Sequence, residues 1–137
     1  MAGDKATAGG KEFTWKKVKA SDYYLDLNEL AKTQTEMTVG YAVCYVRADA
    51  ERKDLQLKMG SNDQGKVYLN GKAVLKATEA RTMDQDSDVA RNVTLHPGVN
   101  AVVFKILNEG GSDWQGCLRF TDAQGKAVTN LVVQLEP

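Results

Sequence analysis

The sequence predicts an all-β fold, a single-domain antiparallel β-sandwich of the jelly-roll kind, and three observations predict it. Gly60 to Leu75, GSNDQGKVYLNGKAVL, reads as a β-hairpin in which Asn70-Gly71 supplies the two positive-φ positions of a type I′ turn and apolar alternation on either side fixes the register. Short apolar stretches, about eight or nine in all, recur between clusters of Gly, Pro, Asn and Asp. No stretch longer than a single turn carries a helical period.

At 137 residues the chain fits one domain, large enough to bury a core without disulfides or metals as staples. Eighteen basic and eighteen acidic residues cancel, so no bulk field favours nucleic acid or an anionic membrane, although this says nothing of a local patch. No apolar run approaches the roughly 20 residues of a membrane helix, and the start, MAGDKATAGGKEF, lacks the apolar core of a signal peptide. Residues 1–11 are small, polar and rich in Gly and Ala, the composition of a flexible leader or linker; residues 12–137 form the sandwich domain.

Taken in order, Phe13 to Val18 and Tyr23 to Leu27 read as half-buried strands, and Leu27 to Lys32 is long enough for one helical turn. Thr38 to Arg47, TVGYAVCYVR, is apolar on both faces and reads as a central strand, with Val39, Tyr41, Val43 and Tyr45 on one side and Ala42, Cys44 and Val46 on the other. In Asp54 to Met59, Leu55, Leu57 and Met59 face the core while Gln56 and Lys58 face water. Across the hairpin, Val67 is expected opposite Val74 and on the same face as Leu69. Lys76 to Ser87 reads as a long crossing loop, a place where function concentrates. Asp88 to Leu95 resumes the strand pattern, His96-Pro97-Gly98 turns the chain, and Asn100 to Ile106 returns as a strand. Trp114 to Thr121 follows the polar loop 108–113, and after a turn at Asp122 to Gly125 a last strand ends near Leu135.

Two cysteines, Cys44 and Cys117, are too few and too far apart for a zinc site. They read either as two buried thiols or as a disulfide between strands. His96 stands beside Pro97 in a turn, away from any Ser or Cys nucleophile signature. Asp84, Asp86 and Asp88 form a D-x-D-x-D run, but Val89 and Leu95 stand where an EF-hand needs Gly and Glu. No carboxylate pair lies in an apolar setting that would raise a pKa for acid catalysis, and the chain reads as noncatalytic.

The segments GSNDQGKVYLNGKAV, LHPGVNAVVFKILN and WQGCLRF, in that order, resemble the galactose-binding-like β-sandwich that accompanies family 2 glycoside hydrolases and related accessory domains of secreted bacterial proteins. In that family a strand ending in VYLNG is followed by a PG-x-N turn and an apolar strand, as at Pro97-Gly98-Val99-Asn100 and Val102, Phe104 and Ile106. The resemblance covers Tyr23 to Leu135 and rests on turn and core signals, which carry fold further than function. It implies an extracellular or periplasmic accessory domain working beside the other domains of a parent protein. Related sandwiches of the protective-antigen kind hold calcium with an acidic pair where this chain has Asn62-Asp63, one charge short, so no cofactor is expected and calcium is left as an open alternative.

The expected ligand is a polysaccharide or oligosaccharide. Trp114 opens a strand after a Gly-rich loop, where its indole either stands at the rim as a sugar platform or closes the core end. A ring face that buries about 100 Å² contributes about 2.5 kcal/mol. Trp15 carries the same two readings, with the core favoured by its alternation with Phe13 and Lys17, and Tyr24, Lys66 and Tyr68 lie on polar-facing sides of their strands. Hydroxyl-binding groups would come from Asn62, Asp63, Asn70, Arg81, Asn108 and Arg119, each of which also has a plain structural use in turns and ion pairs. Against the sugar-binding reading stands a structural spacer or protein-interaction domain without glycan affinity.

Overall fold

Asn100 alternates with Val102, Phe104, Ile106 and Asn108 as buried positions of one long strand, and that strand is the spine of the larger of two facing antiparallel sheets. The computed structural model describes residues 2–32, 37–111 and 113–137. A hairpin of β1 (Lys5–Ala8) and β2 (Lys11–Thr14) stands apart, and β3 (Leu25–Asp26) leads into α1 (Leu27–Ala31). The remaining strands are β4 (Thr38–Ala48), β5 (Arg52–Asn62), β6 (Gln64–Leu69), β7 (Lys72–Ala77), β8 (Asp88–Leu95), β9 (Gly98–Asn108), β10 (Gln115–Thr121) and β11 (Leu131–Gln134). They form a four-stranded sheet in the order β3-β10-β5-β8 and a five-stranded sheet in the order β11-β4-β9-β6-β7. This is the all-β sandwich that the periodicity predicts.

Between the sheets lie Leu57, Met59, Val67, Leu95 and Ile106, all fully buried. Burying each such side chain contributes about 1.5–3 kcal/mol, so the core stabilises the fold without a covalent staple. Both cysteines are free thiols, which removes the disulfide alternative. Burial is the main cause that pushes both thiol pKa values above their ordinary range.

The Asn70-Gly71 turn forms as expected, with φ of 51° and 82°, and Leu69 pairs with Lys72 across it. The register beyond it differs: Val67 pairs with Leu75, because a bulge between the Val67 and Tyr68 pairs moves Val74 out of step. Asn70 also ties the hairpin to β9, accepting from the backbone N–H of Ala101 at 2.8 Å and donating to Asn100 Oδ1 at 3.0 Å. Asn100, fully buried, donates to His96 O at 2.9 Å and accepts from His96 N–H at 3.1 Å, so one amide fastens the His96-Pro97-Gly98 turn.

Other expectations need correction at the edges. The strand expected at Phe13 to Val18 is Lys11–Thr14, paired with Lys5–Ala8 inside the stretch read as a leader, and all eight residues are exposed. The Tyr23 to Leu27 strand shrinks to two residues because Asp26 caps α1, its Oδ1 accepting from Glu29 N–H at 3.1 Å. Gln56 is buried rather than solvated: it donates to Ala123 O at 3.2 Å, so the turn after β10 closes over it. Trp15 is half-buried and belongs to no core cluster. On β4 only the Ala42, Cys44, Val46 and Ala48 side turns inward, while Val39 and Tyr41 are exposed.

Candidate functional site

Four of the polar residues singled out by sequence gather at one end of the sandwich. Asp63 follows β5, and its backbone N–H donates to Leu107 O at 2.9 Å, which seats it beside the end of β9. One carboxylate oxygen accepts from Arg81 N–H at 3.1 Å and the other from Glu109 N–H at 2.9 Å. A single side chain thereby holds both the crossing loop after β7 and the loop before β10. Arg81 reaches back with Nε to Ser61 O at 3.1 Å, with Nη2 to Ser61 Oγ at 2.9 Å, and with both terminal nitrogens to Asp88. The hydrogen bond to Asp88 is the main cause that raises the Arg81 pKa above its ordinary range. Asn62 and Asn108 are buried in the same region.

Asp63 and Arg81 are fully engaged within the protein. Each Asp63 oxygen already accepts a backbone N–H, and the guanidinium of Arg81 has a partner at every nitrogen. Asp63 and Arg81 thus rivet the loops together, the structural use that the sequence left open for them.

The other predicted residues lie elsewhere, Asn70 in its turn beside β9. Trp114 is 5% exposed, donates Nε1–H to Ile106 O at 3.2 Å and packs over Gly40, where a Cβ would come within 2.7 Å of the ring. It closes the core end and presents no free ring face at the rim. Arg119 stands on the outward side of the four-stranded sheet, bonded through Nε and Nη2 to both carboxylate oxygens of Asp86. That pair pins the crossing loop against Gly60, where a Cβ would lie 2.2 Å from Asp84 O, so only glycine fits. Asp86 and Asp88 are thus each engaged by an arginine, and among the described residues no group of three or more His, Cys, Asp and Glu side chains is placed to hold a metal ion.

Tyr68 occupies the outward side of the five-stranded sheet and proves to have company there. Tyr68 pairs with Val103 and Val103 with Val43, so its ring lies level with the midpoint between Tyr41 and Tyr45. Tyr41 and Tyr45, four residues apart, are separated by about 13 Å along β4, and Tyr68 lies about 10 Å to the side, two strands away. Lys66 Nζ sits 5.0 Å from the Tyr68 ring centre and Lys105 Nζ 5.9 Å from that of Tyr41. Tyr41 is 51% exposed. Tyr45 and Tyr68 are half-buried, and the face is aromatic and cationic. The alternation Val39, Tyr41, Val43, Tyr45 was visible in the sequence, but nothing in it said that this side meets water.

A concave feature lies where the sheets part. β11 pairs with β4 only as far as Tyr45, and β3 pairs with β10 only at Gln115 and Gly116. Between these short edges opens a mostly apolar cavity of about 840 Å³, walled by Trp15, Tyr24, Cys44, Phe104 and Trp114 among others, and Tyr41 and Tyr45 also line it. Among the described residues no helix is long and apolar enough to cross a membrane. Comparison of the chain with protein-family models, with curated proteins and with solved structures returned no significant match.

Proposed function

We propose that the protein is a noncatalytic carbohydrate-binding module, an accessory domain of a larger secreted bacterial enzyme or surface protein that works outside the cytoplasm. The observation that carries the reading is the outward tyrosine triangle of Tyr41, Tyr45 and Tyr68 on the five-stranded sheet. Each ring face covering about 100 Å² of a sugar contributes about 2.5 kcal/mol. A millimolar complex totals about −4.1 kcal/mol, so two rings meet that figure and begin to offset the cost of association. Lys66, Lys105 and Arg47 border the rings and can donate to hydroxyl oxygens. Such binding is weak per module and becomes useful when the module is tethered to a partner domain. The likeness of the hairpin and the Pro97-Gly98-Val99-Asn100 turn to galactose-binding-like accessory sandwiches supports the same class.

A second reading has its own observation: Val132 is 56% and Val133 66% exposed on β11, an apolar edge suited to a neighbouring domain. A glycan array probed with the wild type, Tyr41→Ala and Tyr68→Ala, with and without calcium, separates the two. Hits that both substitutions abolish support the sugar module. Silence of the folded wild type overturns it in favour of a spacer or protein-interaction domain.

A further inference from the structure

The strands of the five-stranded sheet contain none of the eighteen acidic residues of the chain, yet they carry Arg47, Lys66, Lys72, Lys76 and Lys105. In a chain of zero formal net charge this is a strong segregation. Three of the lysines stand in one row across the sheet: Lys76 pairs with Lys66, Lys66 pairs with Lys105, and Lys105 in turn pairs with Tyr41. Adjacent strands are about 4.8 Å apart, so the row from Lys76 to Tyr41 spans about 14 Å. Among the described residues no carboxylate forms an ion pair with Lys66, Lys76 or Lys105. Like charges placed directly opposite one another on neighbouring strands destabilise a sheet. Contacts over Tyr68 and Tyr41 hold Lys66 and Lys105 in place but leave their charge without a counter-ion, which an anionic ligand would supply.

We propose that this face binds an anionic polysaccharide, one that carries a carboxylate or sulfate on successive sugars. The inference rests on the carbohydrate reading and specifies its substrate. A chain laid along the row meets one ammonium group per strand, a spacing close to the length of one pyranose ring and shorter than the phosphate step of an extended nucleic-acid strand. Tyr41 at the end of the row and Tyr68 beside Lys66 supply the stacking surfaces. The rings hold sugar faces and the lysines select charged sugars. Because the lysines are solvent-facing, salt screens the selective part of the binding and leaves the stacking part.

The test is calorimetric titration of the full chain with polygalacturonate, dextran sulfate, neutral dextran and oligothymidylate, at low and high salt. It is repeated on the double variant Lys66→Gln/Lys105→Gln and on Lys76→Gln at the edge strand, with the melting temperature of each. Tighter binding of polygalacturonate or of dextran sulfate than of dextran is expected, and the stronger of the two identifies the anion. Affinity should fall about tenfold in the double variant. Its melting temperature should change little, because relieved repulsion offsets the two lost cation–π contacts. Dextran bound as tightly as both charged polymers, and lost in Tyr41→Ala, overturns the charge selection while leaving the sugar reading in place. Failure of every polysaccharide overturns both. Oligothymidylate bound above the others, or unchanged polysaccharide affinity in the lysine variants, also overturns the proposal.

Discussion

Asp63 receives the backbone N–H of Arg81 at 3.1 Å on one carboxylate oxygen while its other oxygen receives that of Glu109, so two loops that are far apart in sequence end on one side chain. In Asp63→Ala both N–H groups lose their acceptor in a region where the side chain is buried. Leaving buried donors unsatisfied costs about 1–3 kcal/mol each. Urea unfolding should show a loss of about 2–4 kcal/mol. A loss under about 0.5 kcal/mol would mean that the loops hold themselves.

Arg81→Lys tests the fork geometry of the same end. A lysine keeps the charge but cannot serve Ser61 and Asp88 together, as the guanidinium does through Nε and both terminal nitrogens. The expected destabilisation is about 1–2 kcal/mol, with Asp88→Asn in that background adding little because the two residues share one network. Full additivity in the double-mutant cycle would contradict this.

Asn70 supplies both a positive φ and two side-chain hydrogen bonds to the neighbouring strand. Asn70→Gly keeps the backbone freedom and should cost about 1 kcal/mol through the lost bonds alone. Asn70→Ala loses both and should cost about 2–3 kcal/mol. Equal destabilisation by the two variants would show that the turn conformation is not what Asn70 contributes.

The two tryptophans should behave differently in fluorescence. With Trp15→Phe, the remaining emission comes from Trp114 and should be blue-shifted and shielded from acrylamide, since that indole is 5% exposed. Adding a polysaccharide should leave it unmoved. A ligand-dependent shift of the Trp114 signal would restore the rim platform that the sequence suggested.

Cys44 and Cys117 should make stability fall in alkali. Both folded thiols have pKa values raised chiefly by burial, so the native state resists a deprotonation that the unfolded chain allows. Their contribution is full below the ordinary thiol range and is lost as the pH rises through that range toward the raised native values. Melting temperatures measured from neutral pH upward should decline less in Cys44→Ala/Cys117→Ala than in the wild type. Parallel curves would remove the thiols from the account.

Strand existence and type were legible because they depend on local alternation and turn chemistry, as at Asn70-Gly71 and His96-Pro97-Gly98. What was not legible depends on partners distant in sequence. Gln56 reads as solvated until the 122–125 turn covers it, and Trp114 reads equally as a rim ring or a core plug until Gly40 on β4 makes room for it. Four of the polar residues expected to touch a ligand gather at one end, but the engagement of Asp63 and Arg81 there follows from two loops meeting at Asp63, which no periodicity encodes. The tyrosine and lysine face was half-visible for the same reason: alternation separates two sides of a strand without saying which one meets water, and cross-strand rows exist only once the register is set.

The uneven placement of charge has a consequence before any contact is made. Because one sheet holds no carboxylate and the carboxylates lie elsewhere on the chain, a molecule with no net charge still carries an electric dipole. In the field of a negatively charged surface it feels a torque and little net pull. It would therefore arrive already turned, lysine row foremost, with salt setting the distance at which that alignment begins.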